Sequence, residues 1–288
     1  MKRYVQLAIV LLIASGLFLC CGGGGGTGQT SAYTGDFLSW TSGDDASHFF
    51  SLVRINGATG EVTNIGGRNY FPAMAYAPDG TLYGISEELH IIDPATGNTV
   101  SIGTFQYGAG PILMHGAAFS PNGTLYVVEN AYPNDRVFTV NLTNAALTYI
   151  GTPTAVIWDL EFTSDGTLYA AFGDLFTLNA SDMTTLTTVG RTGTYVLPLT
   201  RGSGGTLFGM DSIPSTHIYK LDLTSGSASP IVATGSNGLD SLVAEQASTA
   251  TSGGVFHKAA AIHGLSAPRS LETLLNDEKA IKATRALY

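Results

Sequence analysis

Cysteine is missing from residue 22 to the end of the 288-residue chain, and the two present, Cys20 and Cys21, are adjacent near its start. No disulfide and no thiolate metal site can therefore hold the body of the protein together. Charge is scarce too, at 12% of residues. Residues 33–247 carry 19 acidic side chains against 6 basic ones, a balance of −13, whereas residues 248–288 carry 3 against 5, a balance of +2. An acidic body repels phosphate backbones, which argues against a nucleic-acid partner. Familiar catalytic signatures are also missing. There is no Gly-x-Ser-x-Gly elbow, no His-Glu-x-x-His, no phosphate loop and no calcium loop of helix–loop–helix type.

What is abundant is glycine, with 36 residues, together with Thr, Ser and Tyr, a mixture that suits short strands joined by tight turns. One stretch sets the pattern: His90-Ile91-Ile92-Asp93, followed by Pro94-Ala95-Thr96-Gly97, reads as a strand ending in a turn. Four further copies are Val53-Arg54-Ile55-Asn56, Phe138-Thr139-Val140-Asn141, Phe176-Thr177-Leu178-Asn179 and Tyr219-Lys220-Leu221-Asp222. Their closing residues are 37, 48, 38 and 43 positions apart, the spacing of a four-stranded propeller blade.

A second motif precedes each copy but the first: Asp79-Gly80-Thr81-Leu82-Tyr83, Asn122-Gly123-Thr124-Leu125-Tyr126, Asp165-Gly166-Thr167-Leu168-Tyr169 and Gly204-Gly205-Thr206-Leu207-Phe208. These are expected to be two-residue hairpin turns between strands A and B. Strand C then ends at the Asn or Asp, and strand D ends at Ile65-Gly66, Ile102-Gly103, Ile150-Gly151, Val189-Gly190 and Thr234-Gly235. The first unit lacks a strand A, while residues 239–244 form a strand A with nothing after it. The two fragments complete one blade, so the sequence predicts an all-β, five-bladed propeller of four-stranded blades, closed by a C-terminal strand joining the N-terminal blade. The motifs Ala-Pro-Asp-Gly-Thr-Leu-Tyr (residues 77–83) and Ile-Asp-Pro-Ala-Thr-Gly (residues 92–97) resemble repeats of secreted bacterial β-propeller proteins, including those near the NHL and YVTN groups. That resemblance implies a fold and leaves activity open, since such propellers include binding proteins, scaffolds, lactonases and lyases.

Ahead of the repeats, Lys2 and Arg3 precede an apolar run over residues 5–19, with the charge order and length of a secretory signal. With Cys20-Cys21 and five glycines behind it, this segment resembles a bacterial lipoprotein signal, which implies lipid attachment at Cys21, or at Cys20. The expected organisation is a signal over residues 1–21, a glycine-rich tether over 22–32, the propeller over 33–247, and a linker with a short basic helix over 248–288. The chain would then be an exported, membrane-anchored lipoprotein of the bacterial cell envelope, periplasmic or on the outer surface, and a monomer.

Within a blade the A–B and C–D turns share one face of the disc, here short and uniform. The B–C and D–A connections share the other, which carries long, dissimilar loops at residues 41–48, 104–114, 130–135 and 212–216. Binding surfaces favour variable loops on a regular scaffold, so this long-loop face is the candidate site. Aligned A strands place Asp159 and Glu161 where neighbouring blades have Ala73 and Ala75, or Gly116 and Ala118. The pair is a candidate for catalysis with His115 and Asp240 nearby, or for a divalent cation such as calcium. The alternative is that both hydrogen-bond to backbone or pair with Arg191 or Arg201. Glu129 and Asp211, at matching ends of two B strands, and Tyr107, Tyr132 and Tyr195 are candidate ligand contacts, the tyrosines for stacking on sugars or a protein.

The expected function is a non-catalytic protein- or glycan-binding scaffold module acting through the long-loop face. A channel-mouth hydrolase, lactonase or lyase using the clustered carboxylates is the alternative, and a purely structural envelope protein is another.

Overall fold

The computed structural model describes residues 35–42, 50–211, 216–236 and 238–245. The signal, tether and C-terminal tail, and with them Cys20 and Cys21, lie outside those residues, as do most of the loop at 41–48 and residues 212–215.

Five four-stranded antiparallel sheets form the blades. Blade 1 holds β1 (Phe37–Trp40), β2 (Leu52–Ile55) and β3 (Val62–Gly66). Blade 2 holds β4 (Ala73–Tyr76), β5 (Leu82–Ile85), β6 (Glu88–Ile92) and β7 (Thr99–Thr104), and a small hairpin of β8 (Gln106–Tyr107) and β9 (Gly110–Pro111) follows it. Blade 3 holds β10 (Met114–Phe119), β11 (Leu125–Glu129), β12 (Val137–Val140) and β13 (Leu147–Gly151). Blade 4 holds β14 (Asp159–Phe162), β15 (Leu168–Ala171), β16 (Asp174–Leu178) and β17 (Thr185–Arg191). Blade 5 holds β18 (Leu199–Arg201), β19 (Leu207–Met210), β20 (His217–Leu221) and β21 (Ala228–Ala233). Finally β22 (Val243–Ala244) returns to blade 1, pairing Ala244 with Phe37 and Val243 with Leu38. The ring therefore closes as the sequence predicts, and Arg54 clasps Glu245 through two hydrogen bonds of 3.0 and 2.7 Å just beyond that joint.

Turn chemistry explains why the motifs recur. In each C–D turn the Asn or Asp Oδ1 accepts the backbone N–H two residues on, as Asn56 does from Ala58 at 3.0 Å and Asp222 from Thr224 at 2.8 Å. These are Asx turns, in which the side chain stands in for a backbone acceptor. The A–B loops differ from expectation by one residue. Ala77 N–H bonds to Thr81 O and Gly80 N–H to Ala77 O, both at 2.9 Å, so three residues form the loop and the glycine alone takes positive φ, at 86°. That is a type I turn followed by a left-handed residue, the usual three-residue hairpin. Asp79 Oδ1 fixes it by accepting Thr81 N–H at 2.9 Å.

Strands A and B are almost wholly buried, strands C partly so and strands D half-exposed, because each sheet is sandwiched between two neighbours and only its outer edge meets water. The core is accordingly divided into five apolar wedges, one per blade boundary. The motif tyrosines belong to these wedges: Tyr83 packs on Phe119 at 5.4 Å between ring centres, and Tyr126 on Phe162 at 5.2 Å. Glycines at the ends of strands D let the outer rims touch. A Cβ on Gly151 would lie 2.2 Å from Asp182 O, and one on Gly190 2.0 Å from Ser225 O, in each case the C–D turn of the next blade. The fifth such contact pairs Ala233 with Gly60, not Gly235, which has open space around it.

Candidate functional site

Strands β4, β10, β14, β18 and β22 neighbour one another in a closed inner ring, and both carboxylates of interest stand on β14. One side of an inner strand pairs with strand B, which leaves N–H groups on the other side in need of acceptors. Asp159 supplies them. Its Oδ1 accepts from Ala117 N in blade 3 at 2.9 Å and from Leu160 N at 2.8 Å, while Oδ2 accepts from Leu199 N in blade 5 at 2.9 Å. Burial drives its carboxyl well above the usual range, against the opposing pull of those bonds. Gly116 makes room for it, since a Cβ there would lie 2.9 Å from Asp159 Oδ1.

Glu161 is placed alike, its Oε1 accepting from Phe162 N at 2.9 Å and its Oε2 from Arg201 N at 3.1 Å. Burial pushes this carboxyl up to about 7, with the Arg201 charge pulling the other way. The pair thus joins three blades through backbone N–H groups.

The remaining candidates do not converge on this pair. His115 is buried, its ring edge-on to Trp158 at 4.7 Å and its Nε2 3.1 Å from the Glu129 carbonyl. Burial lowers its pKa to about 4, so it is neutral at physiological pH. Asp240 accepts a 2.7 Å hydrogen bond from the Tyr70 hydroxyl at the boundary of blades 1 and 2. Glu129 is buried and held in a two-pronged pair with Arg136, whose guanidinium lies 4.5 Å above the Tyr107 ring. Sequence reasoning grouped Glu129 with Tyr107 on one face and missed Arg136, the residue that connects them. Asp211 is an acceptor hub, bonded by His217 N at 2.8 Å, Tyr219 Oη at 2.6 Å and Thr194 Oγ1 at 3.2 Å. Among the described residues no three His, Cys, Asp or Glu side chains are grouped to hold a metal ion.

The tyrosines behave differently. Tyr132 and Tyr195 are 71% and 61% exposed, and Tyr70, Tyr107 and Leu113 are exposed as well, all in B–C or D–A connections. Beside Tyr195 lies an open groove of about 610 Å³ lined by Phe172, Gly173, Asp174, Arg191, Gly193 and Thr194. In blade 4 only Phe172 and Gly173 separate β15 from β16, as only Ser86 and Glu87 separate β5 from β6 in blade 2, whereas residues 130–136 join β11 to β12 in blade 3. Of the lining residues only Tyr195 was singled out as a ligand contact from sequence. A B–C turn shorter than its neighbours was the available signal for the rest.

Among solved structures the chain is similar to hydrazine synthase of Kuenenia stuttgartiensis, with 19% identity and a TM-score of 0.38 over 54% of this chain. It spans 47% of that chain, about half its length. A chain of a nidogen–laminin complex matches at 12% identity and a TM-score of 0.49, covering 74% of this chain and 98% of that one. A Bacteroides thetaiotaomicron protein of unknown function matches at 14% identity and 0.49, covering 74% and 61%. No curated protein matches the sequence. The matched family model covers residues 61–238, from the last strand of blade 1 through blade 5, and the chain belongs to that family, described as a repeat of unknown function (DUF6923).

Proposed function

We propose that this is a non-catalytic binding module that engages a protein or glycan through its long-loop face, exported and held at the cell envelope by a lipid on Cys21. The observation that carries the reading is the gathering of Tyr70, Tyr107, Leu113, Tyr132 and Tyr195, five of the seven exposed large apolar side chains of the described residues, in the connections of that one face. Aromatic rings with a wet polar tip give large contact area at low entropic cost, which suits recognition. A non-catalytic role is supported by the state of the inner carboxylates, since Asp159 and Glu161 spend every carboxylate oxygen on backbone N–H groups. A general base needs an oxygen directed at a substrate proton. The lipid anchor rests on the leader alone, with its basic start, apolar run and paired cysteines.

The test is a thermal-shift screen of the full chain against oligosaccharides, peptides, and lactone and ester substrates. The reading predicts a ligand-dependent rise in Tm. It predicts that Tyr107→Ser/Tyr132→Ser/Tyr195→Ser removes that rise, and that no substrate is turned over. Turnover that disappears in Asp159→Asn with the fold intact would contradict it.

A further inference from the structure

We infer that the blade 4 groove is a binding subsite for a neutral saccharide, with Tyr195 as its stacking platform and Asp174 and Arg191 as its hydrogen-bonding rim. This inference rests on the binding-module reading and names the ligand class of one part of the same face.

Four observations lead to it. Tyr195 is 61% exposed, yet its ring is set edge-on to Phe172 at 6.1 Å, so the platform is held while its surface stays open. Asp174 and Arg191 stand 3.8 Å apart with exposed side chains, a loose pair whose donors and acceptors remain available to hydroxyl groups. Their charges cancel locally, which suits an uncharged ligand over a phosphate or a carboxylate. Gly173 and Gly193 both take positive φ, at 74° and 80°, and add no side chains to the lining; a Cβ on Gly173 would sit 3.7 Å from the Tyr195 ring.

Size also favours a saccharide. A stable protein interface buries on the order of 800 Å² per partner and needs a desolvated aromatic centre. The groove is a shallow recess of about 610 Å³ with a charged rim, a scale of one to three sugar rings. Pyranose rings present an apolar C–H face to an aromatic ring and hydroxyls at the edge, the two chemistries the groove sets side by side. Neighbouring Asp211 fixes the D–A connection from below through Thr194 Oγ1, so the platform does not have to be ordered at the moment of binding.

The experiment is an array of immobilised neutral and charged oligosaccharides probed with the purified full chain, then titration of the strongest soluble hit into the wild type, Tyr195→Ala, Arg191→Ala and Leu186→Ala. Tyr195 is exposed, so its removal leaves the fold, and circular dichroism checks this. The expected result is binding of at least one neutral oligosaccharide, weakened about tenfold or more in Tyr195→Ala and Arg191→Ala and unchanged in Leu186→Ala, an exposed residue outside the groove lining. No bound saccharide, or binding indifferent to Tyr195→Ala, overturns the inference. Equal loss in Leu186→Ala, which lies outside the groove, also overturns it. A displayed peptide library captured through Tyr195 in place of any sugar would overturn the saccharide assignment. Cleavage of the bound saccharide would keep the groove and sink the non-catalytic reading.

Discussion

Asp159 Oδ2 accepts the backbone N–H of Leu199 at 2.9 Å, a bond from the inner strand of blade 4 to the inner strand of blade 5. With Oδ1 bonded to Ala117 of blade 3, one side chain joins three consecutive blades at the centre of the disc. A group committed in this way builds the fold, and its loss should be read in stability.

Asp159→Asn keeps the shape but turns an amide NH2 toward at least one of those N–H donors. Leaving a buried donor unsatisfied costs about 1–3 kcal/mol, and Asp159→Ala, which strands all three, should cost more. Denaturant unfolding checks this, and an unchanged midpoint in the Asn variant would refute it.

The stability of the domain should depend on pH through Glu161. Its folded pKa is raised to about 7 from an ordinary 4.5, so the folded state holds a proton that the unfolded state has released. That contribution is fully present below pH 4.5 and is lost as pH rises through 7, with a size on the order of 3 kcal/mol. His115 acts in the opposite sense, because its folded pKa is lowered to about 4 and its contribution is lost as pH falls from 6.5 toward 4. The two partly cancel in the wild type and separate in variants. Stability relative to Glu161→Gln should rise from pH 8 to pH 5, and relative to His115→Gln should fall from pH 7 to pH 4.

Blade-to-blade contact and turn geometry place different demands on glycine. In Gly151→Ala the methyl meets Asp182 O at 2.2 Å, and overpacking against backbone should cost about 3 kcal/mol. Gly80 has positive φ and nothing within 4 Å, so Gly80→Ala should cost about 1 kcal/mol and Gly80→Asn less, since Asn tolerates the left-handed region. Thermal unfolding of the three variants ranks them.

A chain ending at Gly238 lacks β22 and uncovers the inner edge of β1, whereas one ending at Glu245 keeps it. The shorter chain should unfold at lower temperature and self-associate through the free edge. Equal Tm and monomeric light scattering in both would show that closure is dispensable.

If the leader is a lipoprotein signal, Cys21→Ala should move the protein from the membrane fraction to the soluble one and abolish incorporation of a labelled fatty acid. Retention in the membrane with no label would refute lipid attachment at that residue.

The architecture was legible because turns have local chemistry. Asn56, Asp93, Asn141, Asn179 and Asp222 make the same Asx bond in each blade, and that requirement recurs in the sequence at blade spacing. Ring closure was legible from register, since an unpaired first unit and a surplus last strand have one economical solution. The A–B loop length was misjudged because Asp-Gly and Asn-Gly serve both two- and three-residue hairpins, and the dipeptide alone does not choose between them. The roles of Asp159 and Glu161 were harder to see. A carboxylate that departs from its repeat is conspicuous, but its partners are backbone N–H groups of other blades, which have no signature in sequence. The groove was hidden for a related reason: it is lined from two separate stretches, residues 172–174 and 191–195, with Arg191 and Asp174 meeting across strands β16 and β17.

The most direct test of the account is titration of the strongest array saccharide into the full chain and into Tyr195→Ala, with mass analysis of the saccharide afterwards. The account predicts binding weakened about tenfold or more by the substitution, and a saccharide recovered intact. Equal affinity in both proteins, or a cleaved saccharide, would contradict it.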